Sequence, residues 1–245
     1  MTGLTISECR DGIVDVVIDR SPDNLMSVEM CSELMKLAND PPVDAHILRL
    51  RAVGGMFCGG RDRAGTDPAD LVAETQILAG LHRALRESRL VSIAEVHGDA
   101  AGFGVGLIAA CDVSIAMRDS AFWFPEVGID LAPALVLAWL PRMVGDRDAF
   151  WLTSTGERIS ADRAERLGLV NEVVADADAL TEAVTRRIST LRARNPRIHA
   201  EIKSMIRTFN ALDENQALET SIHRLTVGAL RRHEGTAAAS TPLVP

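Results

Sequence analysis

The sequence lacks a run of about 20 apolar residues, a C-x-x-C pair and an excess of positive charge, and each absence excludes a class of function. Its 47% hydrophobic content is spread in short runs, which argues for a globular fold and against a membrane helix. The start, MTGLTISECRDG, has neither a basic n-region nor an apolar h-region, so no signal peptide and a cytoplasmic location are expected. Cys9, Cys31, Cys58 and Cys111 are too widely spaced for a zinc or redox site; buried free thiols and no metal are the expectation. A formal charge of −8 disfavours nucleic acid or an anionic membrane as partner, but is compatible with a local basic pocket for a phosphorylated ligand. GFGVG does not match the spacing of a dinucleotide fingerprint, and no GK[ST] follows to make a P-loop. The length, 245 residues, suits one large domain or one domain with an appendage.

What is present reads as alternating strands and helices. GIVDVVID at 12–19 is rich in β-branched residues and bounded by turn residues, hence a strand. In SVEMCSELMKLAND the positions Met30, Leu34, Leu37 and Ala38 recur at helical spacing, with Ser27 as cap. AHILRLRAV at 45–53 alternates like a strand and leads into the glycine-rich GGMFCGGRD. A second helix is predicted over 68–89 through Leu71, Leu78, Leu81 and Leu85, then a strand at 91–98, and GFGVGLIAAC at 102–111 reads as a strand-to-helix junction. DVSIAM at 112–117 is a further buried strand. The repeated order of strand, glycine turn and helix indicates a layered α/β fold. From residue 132 the pattern is helix-rich, with one more strand within 169–174, a boundary at Pro196, and helical periodicity in Leu180 to Leu191, Ile202 to Phe209 and Leu218 to Leu225. The tail TAAASTPLVP lacks periodicity and is expected to fray.

Two glycine-rich junctions, each following a strand, can turn backbone N–H groups toward one ligand oxygen, because glycine permits close approach and a helix N-terminus favours developing negative charge. Such a pair is an oxyanion hole. Nearby proton-transfer candidates are Asp62, Asp99, Asp112, Glu126, Asp130 and the six histidines. Glu126 stands apart: FWFPEVGI sets its carboxylate just after Pro125 among bulky apolar residues, a setting that raises a carboxyl pKa and suits proton transfer, although a solvated loop glutamate fits the composition equally. His97, beside Gly98 at a strand end, reads as a structural residue before a base.

These residues resemble, in order and spacing, the crotonase superfamily, the enoyl-CoA hydratase/isomerase family. NLMS at 24–27 is similar to the family's N-A-L-N, MFCGGRD at 56–62 to its F-[CS]-A-G-A-D, and VHGDAAGFGVGLIAACD at 96–112 to its V-N-G-x-A-x-G-G-G-x-x-L-A-x-x-C-D. FPEVGIDLAP resembles the segment with the family's downstream glutamate, and TGERISADRAERLGLVNEVV at 155–174 resembles T-G-x-x-I-x-A-x-x-A-x-x-x-G-L-V-N-x-V-V. The resemblance implies an α/β fold, a spiral of ββα turns over 1–195 with a helical C-terminal region over 196–245, assembled as trimers or pairs of trimers. It implies an acyl-CoA substrate, with coenzyme A entering only as part of it. It gives the backbone N–H groups of Arg61 and Phe103 the two oxyanion positions, where losing one donor costs about 3 kcal/mol of transition-state stabilisation. It sets Asn24, Leu25, Met26, Gly60, Asp62 and Arg63 along the CoA, and Gly102, Gly106 and Trp123 around the substrate.

The departures narrow the reaction. Hydratases of this family hold their water between two glutamates; the second coincides with Glu126, but the first coincides with Gly106. A 3-enoyl-CoA to 2-enoyl-CoA isomerase needs one base, which Glu126 supplies. Arg61 and Phe103 are larger than the family's residues there, and Phe122, Trp123 and Phe124 are expected to narrow the pocket. A family lysine is replaced by Ala64 and the C-terminal basic pattern by AAAST, leaving Arg63 and Arg20 as candidates for the CoA phosphates, against a reading as solvated arginines. Asp130 is a further candidate carboxylate. Two alternatives remain: a hydratase or hydrolase drawing its second group from Asp130 or His97, and a non-catalytic acyl-CoA binder.

Overall fold

The structure, a computed structural model, describes residues 3–62, 65 and 67–239. An antiparallel pair opens the chain, β1 (Leu4–Ile6) with β2 (Ile13–Ile18). In β2 the alternate residues Val14, Val16 and Ile18 are buried, the period of a strand with one face on a core. The helix α1 (Val28–Asn39) starts where Ser27 accepts a hydrogen bond from the Met30 N–H, and it buries Met30, Cys31, Leu34 and Ala38.

From there the chain repeats one unit. The strands β3 (Ile47–Ala52) and β4 (Met56–Cys58) precede α2 (Pro68–Glu87), whose first turn has Asp67 as cap and proline at its first position. Next come β5 (Val91–Val96), β6 (Asp99–Ala101) and α3 (Phe103–Ala110), then β7 (Val113–Met117) and β8 (Ala121–Trp123). A 3₁₀ turn (Pro125–Ile129) and the helices α4 (Ala134–Leu137), α5 (Leu140–Val144) and α6 (Asp146–Thr155) lead to β9 (Ile159–Ser160), α7 (Ala161–Arg166) and β10 (Glu172–Val174). The first strand of each turn joins a sheet of order β1-β2-β3-β5-β7-β10, parallel from β2 onward; the second joins a sheet of order β4-β6-β8-β9. This is the ββα spiral expected.

The main core fills the spiral, with Phe57, Phe122 and Phe124 among its fully buried side chains. On the sheet of six strands, Ile47, Val91, Ile93 and Ile115 pack against Leu180, Ala183, Val184 and Ile188 of α8 (Ala177–Arg192). The helices α9 (Pro196–Phe209) and α10 (Glu214–Ala239) follow. Two compact units divide inside α9, one ending at Ala200 and the other beginning at Glu201. Within the second, Arg231 pairs with Glu201 at 2.9 Å. Helix extends through residue 239; the rest of the tail expected to fray, 240–245, lies outside the described residues. Among the described residues no helix is long and apolar enough to cross a membrane.

Candidate active site

The first expected donor sits on a short seam where β4 ends. The Met26 N–H donates to the Gly60 carbonyl at 3.0 Å and the Asp62 N–H to the Met26 carbonyl at 2.9 Å. Extended backbone alternates, so residue 61 between them turns its own N–H to the opposite side. Among the described residues that N–H has no hydrogen-bond partner. Gly60 has φ +131°, a conformation closed to side-chain-bearing residues. Cys58 fixes the same turn: its thiol donates to the Gly60 carbonyl at 3.3 Å, and burial pushes its pKa up to about 12, so it stays a donor.

Asn24 braces this seam from behind. It is fully buried; its Oδ1 accepts the Arg20 N–H at 2.8 Å, and its Nδ2 donates to the carbonyls of Val53 at 2.8 Å and Met56 at 2.6 Å. Met26 is equally buried, with both backbone groups engaged, and Leu25 is half-buried with its carbonyl accepting from Arg20 at 3.0 Å. Arg20 also pairs with Asp62 at 2.6 Å, so its charge is already matched. Arg63 lies outside the described residues.

The second donor is the N–H of Phe103 at the start of α3, also without a partner among the described residues. Gly102, at φ +51°, makes the turn, and its N–H donates to the Trp123 carbonyl at 2.9 Å. The two loops are in contact: a methyl group on Gly60 would reach 3.7 Å from the Ala101 carbonyl, and one on Gly104 would overlap the carbonyl of Cys58. Glycine at 104 is what lets the helix start approach the end of β4.

Glu126 completes the arrangement as the second residue of the 3₁₀ turn. Its Oε1 lies 2.8 Å from where a side chain on Gly102, the residue before Phe103, would begin, and its Oε2 is shielded from solvent. Gly106, one turn along α3, faces the indole of Trp139, whose Cζ2 would be 3.6 Å from a methyl group there. The other candidates lie elsewhere. Asp130 ends the 3₁₀ turn in a left-handed conformation and lines a cavity of about 520 Å³ with Val127, Leu131, Leu137, Ala149 and Phe150, whose walls do not include Glu126. His97 shares a hydrogen bond of 2.9 Å with the Gly54 carbonyl, as a structural residue does. Trp123 lies under the Arg158 guanidinium at 3.7 Å, while Asp99 pairs with that arginine at 3.3 Å and accepts the Ala121 N–H at 2.8 Å. Phe122 and Phe124 are packed into the core.

Two groups near the site were not anticipated. Glu74, 7% exposed on α2, accepts the Gly65 N–H at 2.5 Å and approaches the Arg61 guanidinium at 3.5 Å, tying the loop after β4 to the helix. A signal existed, since residue 74 falls in register with Leu71, Leu78, Leu81 and Leu85 on the apolar stripe. The other is Trp139, stacked on His82 of α2 with ring centroids 5.9 Å apart.

Comparison with known proteins places this geometry. The sequence profile of enoyl-CoA hydratase/isomerase matches residues 8–238. The chain belongs to the enoyl-CoA hydratase/isomerase family. Among its relatives are the enoyl-CoA hydratase ACTT6 of Alternaria alternata, 30% identical over 89% of this chain and 74% of that protein, and the peroxisomal Delta(3,5)-Delta(2,4)-dienoyl-CoA isomerase of Arabidopsis thaliana, 26% identical over 84% of this chain and 81% of that one. The crystal structure of an enoyl-CoA hydratase of Mycobacterium smegmatis superposes with a TM-score of 0.86 at 28% identity, covering 92% of this chain and 90% of that one. Membership of this family, whose members act on acyl-CoA substrates, supports an enzyme, and the fold is that of the crotonases.

Proposed function

We propose that the chain isomerises 3-enoyl-CoA to 2-enoyl-CoA with Glu126 as the single acid/base. The observation that carries this reading is one carboxylate set against Gly102, with two N–H groups that have no partner among the described residues and with glycine at 106. The carboxylate of Glu126 takes a proton from the α-carbon, and the released electron pair delocalises onto the thioester oxygen. That oxygen is held by the N–H groups of Arg61 and Phe103. The same proton returns at the γ-carbon, which leaves the double bond conjugated with the thioester. No water enters the balance, and no second carboxylate is needed. Coenzyme A would run along the seam formed by residues 24–26 and 60–63, and the chains would associate as trimers or pairs of trimers.

Hydration is the competing reading, favoured by relatives that carry hydratase names. Ultraviolet absorbance separates the two, because isomerisation creates the conjugated thioester and hydration removes it. Absorbance is expected to rise with a 3-enoyl-CoA, and Glu126→Gln to lower that rate about 10³-fold. Full turnover in the variant, or loss of absorbance from a 2-enoyl-CoA with the unaltered chain, would overturn the reading. Tight acyl-CoA binding without turnover of either compound would point to a binding protein.

A further inference from the structure

The single-base scheme leaves Trp139 and His82 unused, although Trp139 lies against Gly106 and His82 is stacked on it. Gly102 caps α3 and Gly106 lies one turn in, so what lies against them lies near the same end of the helix. Against Gly102 is the Glu126 carboxylate; against Gly106 is the indole, with Cζ2, Nε1 and Cε2 at 3.6, 3.9 and 4.0 Å from the position of a methyl group. The base and the indole thus flank the first turn of α3, one at its cap and the other a turn along. Its orientation is fixed on two sides. His82 stacks on it with the rings inclined by 20°, and Phe124 meets it at 6.3 Å and 58°. Phe124 also begins the segment that carries Glu126, so one stretch of backbone positions both base and indole.

The polar groups of this wall are few: the His82 imidazole, already hydrogen-bonded to the Gly106 backbone, and the indole Nε1, 3.9 Å from the position of a methyl group on Gly106. Burial first, then the nearby Arg86 charge, lower the His82 pKa to about 4, so at neutral pH the imidazole is an uncharged platform. A water molecule kept in such a place needs two to four polar partners. Glycine and the faces of flat rings offer few.

We infer that Trp139 determines the reaction outcome by occupying, beside Glu126, the space in which an attacking water and its second polar partner would have to stand. The inference rests on the single-base reading. It makes Trp139 a specificity-determining residue whose removal alone is insufficient, since opening the space supplies no group to hold the water. A glutamate at position 106 would likewise be insufficient alone, because its side chain would run into the indole.

The test is a double-variant cycle on the full chain: Trp139→Ala, Gly106→Glu and both together, each assayed for 3-enoyl-CoA isomerisation and 2-enoyl-CoA hydration. Hydration is expected at least about tenfold higher in the double variant than in either single one, a non-additive gain. Equal hydration in all forms, or a gain from Gly106→Glu alone, overturns the inference. If the original chain does not isomerise, the single-base reading fails instead, and a second measurement decides the position of Trp139. A saturated acyl-CoA is expected to change tryptophan fluorescence beyond any effect of free coenzyme A, and Trp139→Phe to remove that change while calorimetry still detects binding. A change unaltered in Trp139→Phe puts the indole away from the acyl group and overturns the inference as well. This conservative variant also covers the case in which Trp139→Ala does not fold.

Discussion

His82 is a titratable group held where its charged form is costly. With its pKa lowered to about 4 in the folded chain against about 6.5 when unfolded, the unfolded chain binds more protons between those values. Stability is therefore full above about pH 6.5 and falls as pH drops toward 4, by on the order of 2 kcal/mol from this residue. Urea unfolding of the chain and of His82→Gln at pH 7.5 and 4.5 is expected to show a smaller acid loss in the variant; equal losses would mean that the imidazole titrates normally. At this scale the sequence was legible where a residue's role depends on its near neighbours. Gly60 and Gly102, at turns with positive φ, could be read from local composition. Residues acting across the fold could not: Trp139 meets Gly106 and His82 from 33 and 57 positions away. Glu74, whose partners Gly65 and Arg61 lie only 9 and 13 positions before it, was missed although its place on the apolar stripe of α2 marked it.

Elements position the two donors through the contact between the start of α3 and the end of β4. A methyl group on Gly104 overlaps backbone, which cannot move aside as a side-chain tip could. Gly104→Ala is thus expected to force the two loops apart and to lower kcat/KM about 10²-fold, the scale of losing one oxyanion donor. Steady-state kinetics beside thermal unfolding would check this, and unchanged kcat/KM would mean that the donors do not depend on this contact. The longer elements were legible because α1, α2, β2 and β3 carry a burial period and β5 and β7 are short continuous apolar runs; all lie within a few residues of the segments read from the sequence. The strands β4, β6, β8 and β9, of two or three residues each, were missed. So few residues carry no period, and lateral pairing with the preceding turn defines them.

At the scale of the whole molecule, α10 leaves Leu218, Ile222, Leu225 and Leu230 exposed, Leu225 by 77%. Apolar surface of this kind is consistent with association. The mass in solution, by light scattering, is expected to be three or six times 26.4 kDa, with Ile222→Asp and Leu225→Asp shifting it toward one chain. A single-chain mass for the unaltered protein would refute the assembly.

The spiral also divides the chemistry along the chain. In the proposed scheme one donor comes after β4 and the other after β6, while the base comes after β8, so three successive turns of one sheet would each carry one component. A lineage with this architecture can alter its reaction one turn at a time: exchanging the carboxylate after β8, or the residue at 106, leaves both donors where they were. Inherited variation in such a protein changes the fate of the enolate more readily than its formation.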